Sequence, residues 1–299
     1  MTDRFDRELL GLYQKRNAAV TRCEALHLPD SCSNAASCWS SAHHRRPPSG
    51  HAAGEISPPW IGPNYREGGL VVVLVNLNAW GGLDFGPNAK KGNRFLGQAA
   101  ASALSRGQRR LFGGDGYAGT LVWHQAAQYS ATWLEVKTGM PSRNGDRYSP
   151  RALSETMNAI AMTQHIKCSP ISDAKNERSQ PTEAMWAHCG RTFLAREIEI
   201  LRPSAIIALG SGQNTSALRD IFPASPRIKV SQQVQLGRRP FDMTIESRIV
   251  PGTAPKANAC VELISVPHPA APGGTARRLV AELRLLLQEA EKRDTQNKT

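Results

Sequence analysis

A strand, a polar loop, an amphipathic helix and a second strand follow one another between Thr163 and Gly210, and this order most constrains the fold. The segment reads TQHIKCSPISDAKNERSQPTEAMWAHCGRTFLAREIEILRPSAIIALG. Its pattern predicts strands over 159–163 and 205–209 and a helix over 183–201. Such a unit joins two parallel strands through a crossover helix. Cys168 stands at the mouth of the loop and Cys189 on the helix, so we expect a bound group to bridge the two thiols.

A second apolar run, LVVVLVNL at 70–77, is rich in β-branched residues and typical of a strand buried on both faces of a parallel sheet. A last strand is predicted over 260–266, where Cys260 is expected in the core. Strands alternating with helices predict an α/β fold, with three α/β/α layers around a mainly parallel sheet. Helices are predicted over 5–20, 95–104, 149–158, 211–222 and 276–292, hairpin-like alternation over 241–250, and 120–136 is ambiguous between strand and helix.

Glycine-rich polar segments follow two of these strands. NLNAWGGLDFG extends from the first of them, and PHPAAPGG follows the last. Open α/β sheets bind their ligands outside the carboxyl ends of the strands. We therefore expect both segments to contribute to one site.

Charge and cysteine content limit the classes of partner that the chain can be expected to bind. The formal net charge of the 299-residue chain is +12, which favours an acidic partner, although solvation of the surface alone also explains such a charge. The sequence contains no basic amphipathic helix of the kind that binds membranes. Nucleic acid is therefore a better candidate than a membrane surface for the acidic partner. The apolar runs are too short for a signal peptide or a membrane span, which predicts a cytoplasmic protein. Six cysteines without a secretory signal indicate metal ligands or free thiols.

Three parts are predicted along the chain: an N-terminal helix and cysteine-rich loop over 1–59 that packs on the main domain, an α/β domain over 60–293, and a charged tail over 294–299. We expect a monomer.

Four separated segments together resemble the uracil-DNA glycosylase superfamily, and most of all its iron-sulfur (family 4) branch. They are LVNLNAWGG at 74–82, GNRFLGQAAASAL at 92–104, the segment at 163–210, and VPHPAAPGG at 266–274. The third is the most specific, because it combines two cysteines, a helix and a strand in the family's order. The sequence departs from the family pattern at Ala79 in place of a proline, at Gln164 in place of an asparagine, and in HPA in place of HPS.

The resemblance implies a role for several residues. Asn78 falls on the water-positioning asparagine, with Asn76 as a close competitor, and His268 falls on the catalytic histidine. Phe95 falls on the residue that stacks on the extruded base, and Gln164 on the residue that reads the edge of uracil. Arg277 lies at a predicted helix N-terminus that suits a DNA phosphate. Each also has a purely structural explanation: a turn asparagine, a core phenylalanine, a surface histidine or arginine, and a structurally satisfied amide.

The resemblance also implies a structural [4Fe-4S] cluster, which needs four thiolates. Cys168 and Cys189 match two of the family's ligands. The other two are expected to be Cys32 and Cys38, with Cys23 in reserve. Zinc bound by four cysteines is the chemical alternative.

The implied activity is hydrolysis of the N-glycosidic bond of uracil or a related deaminated base in DNA, after the base has been flipped out of the helix. A non-catalytic nucleic-acid-binding protein of the same fold, stabilised by a cluster or by zinc, is the alternative, because a shared fold does not determine the reaction. An enzyme requires Asn78, Gln164, His268 and Phe95 to converge on one pocket, which a binding protein does not.

Overall fold

A seven-stranded sheet with helices on both faces forms the centre of the protein. The computed structural model describes residues 4–5, 7–9, 12, 59–75, 118–141, 143, 148–166, 186, 189–210, 212–250, 259–268 and 276–296. The strands are β1 (Trp60–Ile61), β2 (Leu70–Leu74), β3 (Ala161–Gln164), β4 (Ala205–Gly210), β5 (Ala224–Leu236), β6 (Arg239–Val250) and β7 (Ala259–Pro267). The α-helices with defined bounds among the described residues are α1 (Ala118–Thr138), α2 (Pro150–Ala159), α3 (Ala195–Leu201), α4 (Gly212–Ile221) and α5 (Ala276–Gln296), and a π-helical turn (Gly190–Leu194) leads into α3.

The strands lie in the order β1-β3-β2-β4-β7-β6-β5. The four adjacent strands β3, β2, β4 and β7 run parallel, whereas β1, β6 and β5 are antiparallel to their neighbours. The predicted α/β class is therefore confirmed. The unit at 163–210 does join two parallel strands, and β2 lies between them in the sheet.

Each face of the sheet has its own apolar core, which gives the three predicted layers. Alternate side chains of one strand enter opposite cores: Val72 and Leu74 pack on the side of α1, α2 and α5, and Val71 and Val73 on the side of α3 and α4. β2 is thus buried on both faces, as its apolar run predicts.

Local signals account for the start of α2 and for the shape of the helix before β4. The Ser149 hydroxyl accepts a hydrogen bond from the Ala152 amide at 3.1 Å, and Pro150 opens α2, as expected of a capped N-terminus. The single helix predicted over 183–201 contains instead the π-helical turn, in which the Ala195 amide donates to the Gly190 carbonyl.

One ambiguous segment is resolved by the structure, and two further predictions differ from it. The 120–136 segment is helical throughout as part of α1. The final helix continues past Lys292 to Gln296, where Asp294 pairs with Arg227 at 3.2 Å. The prediction that Cys260 lies in the core was wrong: it is exposed near the start of β7, with its Sγ 3.9 Å from the Ser225 hydroxyl.

Described residues of the N-terminal segment are helical and contact the main sheet domain. The ring of Phe5 packs edge-on against Tyr65, with centroids 5.4 Å apart, and Arg4 pairs with Glu67 at 2.9 Å. Burial of the Tyr65 side chain raises its phenol pKa, and its hydroxyl donates to the Leu201 carbonyl at 2.9 Å. Among the described helices, none is both long enough and apolar enough to cross a membrane.

Candidate functional site

The carboxyl ends of β2, β3, β4 and β7 meet along one margin of the sheet, because these neighbours are all parallel. We call this margin the carboxyl edge and define it by Val75, Gln164, Gly210 and His268. Two of the predicted site residues, Gln164 and His268, lie there. Open α/β sheets bind ligands at this edge, so the topology supports the predicted position of the site.

Gln164 ends β3 and is held in register with β2. It pairs with Leu74, and the parallel pairing continues beyond the strand, since the amides of His165 and Ile166 donate to the carbonyls of Leu74 and Val75 at 2.8 and 3.0 Å. The Gln164 side chain is 4% exposed. It therefore brings a buried amide, with both a donor and an acceptor, to the floor of the carboxyl edge.

His268 follows Pro267, the residue of β7 that pairs with Gly210 of β4. Its side chain is exposed. Two strands, β2 and β4, separate it from β3, so the backbones of Gln164 and His268 are roughly 14 Å apart at about 4.8 Å per strand.

Gly210 permits the close approach of three strand ends. Its φ of +134° lies in the region that favours glycine. A Cβ at this position would lie 3.0 Å from Cγ2 of Val75 and 3.8 Å from Cδ2 of His268. β4 therefore ends without a side chain where β2 and β7 deliver theirs.

Asn214 links β2 and β4 through its side chain just before the carboxyl edge. The sequence reasoning missed this residue. The side chain is fully buried on α4, and its Nδ2 donates to the carbonyls of Val73 and Leu209 at 3.1 and 3.3 Å. Those carbonyls belong to neighbouring parallel strands just before the carboxyl edge. Its position in the GSGQN segment that follows β4 is the only signal the sequence offers.

His165, the residue that follows Gln164, is buried, and the sequence reasoning also missed it. His165 is 0% exposed, and its Nε2 lies 3.1 Å from the carbonyl oxygen of Trp186. Because a carbonyl only accepts, Nε2 carries the proton. The Trp186 ring packs edge-on against the imidazole, with centroids 4.8 Å apart. A Cβ at Gly190 would lie 2.6 Å from Nε2, so glycine is required there.

Cys189 is the residue before Gly190, which lies against the His165 ring. Its side chain is 3% exposed and precedes Gly190 at the start of the π-helical turn. The other predicted ligands, Cys32, Cys38 and Cys168, and the reserve Cys23, fall outside the described residues. The described part of the chain holds no group of three or more histidine, cysteine or acidic side chains that could bind a metal.

The remaining predicted site residues also lie outside the described set. They are Asn76, Asn78 and Phe95, together with the predicted helix over 95–104. Arg277 belongs to the first turn of α5, but its side chain is not among those described.

A family model described as the uracil DNA glycosylase superfamily matches residues 88–278, which is more than half of the chain. No curated protein matches the chain.

Proposed function

Because the chain belongs to the uracil-DNA glycosylase superfamily, we propose that it is a DNA glycosylase that removes uracil or a related deaminated base. The observation that supports this most is the delivery of Gln164 and His268 to one edge of four parallel strands, on either side of Gly210. Base excision requires a pocket that reads the edge of a flipped base and stabilises it as it leaves.

Gln164 is proposed to read the base. A uracil edge presents alternating acceptors and a donor, and a carboxamide can match one of each. Since Gln164 is buried and its backbone is held in register with β2, its amide is preorganised for this contact. A base with the opposite hydrogen-bonding pattern would leave buried polar atoms unpaired, which is costly.

His268 is proposed to stabilise the departing base. In hydrolysis the bond between C1′ and the base nitrogen breaks, and its electron pair leaves with the base. The oxygen of a water molecule bonds to C1′ and releases its proton to solvent. A donor aimed at the carbonyl oxygen where the negative charge collects lowers the barrier. The exposed imidazole beside Gly210 is suited to this, since a flipped base can reach it.

The resemblance supplies the other proposed roles. Asn78 would position the attacking water, with Asn76 as the competing candidate, and Phe95 would stack on the base. Asn76 follows Val75 directly in the chain, and Val75 lies at the carboxyl edge, which supports this assignment. Arg277 would contact a phosphate from the start of α5.

Base release by the purified protein tests the proposal. Duplex and single-stranded oligonucleotides containing uracil, hypoxanthine or xanthine are incubated with the protein, and abasic sites are cleaved with alkali. We expect strand cleavage with at least one of them. His268→Ala should lower the single-turnover rate about 10²- to 10³-fold, the cost of losing one preorganised donor.

A second variant tests base reading and separates the enzyme from a binding protein. Gln164→Leu keeps the side-chain size but removes both polar atoms, so discrimination between the preferred base and the other two should fall. Unchanged melting temperatures would exclude misfolding in both variants. No product from any oligonucleotide at excess protein, with binding intact, would leave the non-catalytic nucleic-acid-binding alternative.

We further propose a structural [4Fe-4S] cluster held by Cys32, Cys38, Cys168 and Cys189, with Cys23 in reserve and zinc as the alternative metal. Bound thiolates would tie the N-terminal segment to the loop after β3. Two observations support it. Cys189 is buried and directly precedes Gly190, which lies against the His165 ring, and Cys168 lies three positions after His165, a reach of about 10 Å.

Metal analysis tests the cluster without reference to activity. We expect about four iron and four sulfide per chain and broad visible absorbance. Cys189→Ser should lose most of the iron, whereas Cys260→Ser, at an exposed cysteine on β7, should retain it. Stoichiometric zinc in a colourless protein would refute the iron-sulfur assignment.

A further inference from the structure

The β5–β6 hairpin ends at the same margin of the sheet as the candidate site. β6 is antiparallel to β7, with Thr244 opposite Ser265. The printed pairing begins at these two residues, and β6 extends five residues beyond them, from Met243 back to Arg239, toward the carboxyl edge. The turn at Gly237 and Arg238 lies still further along, so the hairpin tip extends past the carboxyl edge.

Two adjacent arginines occupy this tip. Arg238 and Arg239 are both exposed, and neither has an acidic partner among the described residues. Other arginines of the same hairpin are neutralised: Arg227 pairs with Asp294 at 3.2 Å and Arg248 with Glu246 at 2.9 Å. The tip therefore presents two positive charges that the described fold does not use.

The fold holds this tip firmly in place. Val234 and Leu236 of β5 are buried, and Val234 pairs with Phe241, which packs against the core of the α1, α2 and α5 layer. The Gln235 side chain donates to the Gly237 carbonyl at 2.9 Å, and Gly237 takes the positive φ of +58° that the turn needs. Anchored arginines lose less conformational freedom on binding than arginines on a loose loop.

The chemistry of the tip fits a phosphate backbone. Guanidinium groups form paired hydrogen bonds with phosphate oxygens. The exposed residues of the turn, 237–240, include no aromatic ring on which a base could stack. The tip extends past the carboxyl edge on the strand next to β7, the strand that His268 follows. The tip would meet the duplex beside the flipped nucleotide.

We propose that the β5–β6 hairpin is a clamp on duplex DNA, in which Arg238 and Arg239 bind phosphates next to the excised base. This inference rests on the proposed function for the position of the base. It concerns binding of duplex DNA with or without damage, so it can be tested separately from base release.

Salt dependence of binding to an undamaged duplex tests the clamp. Kd is measured by fluorescence anisotropy from about 50 to 300 mM salt for the wild type and for Arg238→Ala/Arg239→Ala. Each lost phosphate contact should reduce the slope of log K against log salt by about 0.9, and weaken binding about eightfold at 0.1 M salt. The double variant should thus lose nearly 2 from the slope.

A matched control removes the same charge elsewhere. Arg66→Ala/Lys292→Ala deletes two exposed charges near the opposite margin: Arg66 precedes β2, and Lys292 lies beside Glu291, which pairs with Lys137. We expect this control to keep the wild-type slope to within about 0.3, and Arg238→Lys/Arg239→Lys to keep most of it.

The outcomes separate the two proposals. Equal slopes for the tip variant and the control would overturn the clamp, whatever the catalytic result. A reduced slope for the tip variant alone would support the clamp even if no base were released, in which case only the glycosylase assignment would fail. Matching circular dichroism spectra and melting temperatures are required of every variant compared.

Discussion

Replacement of Gly210 by alanine tests whether the end of β4 must lack a side chain. The residue adopts a φ of +134°, and an added Cβ would lie 3.0 Å from Val75 Cγ2. That separation is shorter than an ordinary carbon–carbon contact of about 3.5–4.0 Å. Either the strand ends move apart or Val75 rotates away from its present position.

The cost has two parts. An unfavourable backbone conformation for a residue with a Cβ costs about 1–3 kcal/mol. Crowding of a packed site adds about 1–3 kcal/mol, less if Val75 can move. We therefore expect Gly210→Ala to lower the free energy of unfolding by about 2–6 kcal/mol. Displacement of Val75 or His268 should also slow base release at least tenfold, since small misplacements of reacting groups are expensive.

Gly212 provides a control two residues away. A Cβ there would meet no atom within 4 Å, and the residue lies in the first turn of α4. Alanine is favoured over glycine in helices by up to about 1 kcal/mol, so Gly212→Ala should be neutral or slightly stabilising. Both variants are compared with the wild type by urea denaturation at equilibrium, with the m-value as a check on two-state unfolding.

The reasoning would be refuted if the two variants unfolded with the same free energy. A Gly210→Ala protein as stable as the wild type but inactive would leave only the steric effect on the site. A fully active but less stable variant would show that the strand ends tolerate displacement without loss of function.

Two further predictions concern buried polar contacts. Thr163→Val should lower the free energy of unfolding by about 1–3 kcal/mol, because the Thr163 hydroxyl donates at 2.6 Å to the fully buried Glu197; an unchanged urea midpoint would contradict this. Burial alone would raise the pKa of Glu135, but hydrogen bonds from Tyr148 and Arg143 outweigh it and the pKa is lowered. A lowered pKa stabilises the fold above the ordinary carboxyl range and loses that contribution as pH falls through the folded value. The wild type should therefore be more stable than Glu135→Gln by about 1 kcal/mol at pH 7, and this difference should vanish in acid. Urea titrations from pH 7 to pH 3 measure the difference. A difference that does not change with pH would refute the prediction.

The strands and helices that the sequence predicts well are those with one clear pattern. β2 is recognised because every residue from Leu70 to Leu74 is apolar, and α5 because its apolar residues recur at helical spacing. α1 was ambiguous for a physical reason. It is buried on several sides, from Gln125 through Trp133, so no polar face marks the helical period.

β5 was missed although a signal for it exists. Ile228 and Val230, then Val234 and Leu236, alternate with polar residues, and Gly237 marks the turn to β6. The intervening SQQ and the basic residues made the stretch look irregular. The prediction recognised only the second half of the hairpin.

The edge location of the site was predictable, but its supports were not. Gln164 and His268 follow apolar strands, and parallel strands bring such residues to one margin of the sheet. Asn214 and His165 act through contacts with carbonyls of distant segments, Val73 and Trp186. No local pattern in a sequence encodes such a partner, because the partner is set by the tertiary packing.

The two outermost strands of the sheet, β1 and β5, affect the solubility of the protein. A bare strand edge invites pairing with the edge of another molecule, and proteins commonly disfavour this with short, charged or irregular edge strands. One outer strand, β1, has only two residues. The other, β5, carries Pro226 and the charged Arg227 and Lys229 near its start, within an irregular register between Ala224 and Lys229. A sheet with both ends protected in this way can keep its long strands without assembling into larger sheets, so the chain is expected to resist edge-to-edge aggregation at the concentrations that binding and turnover assays require.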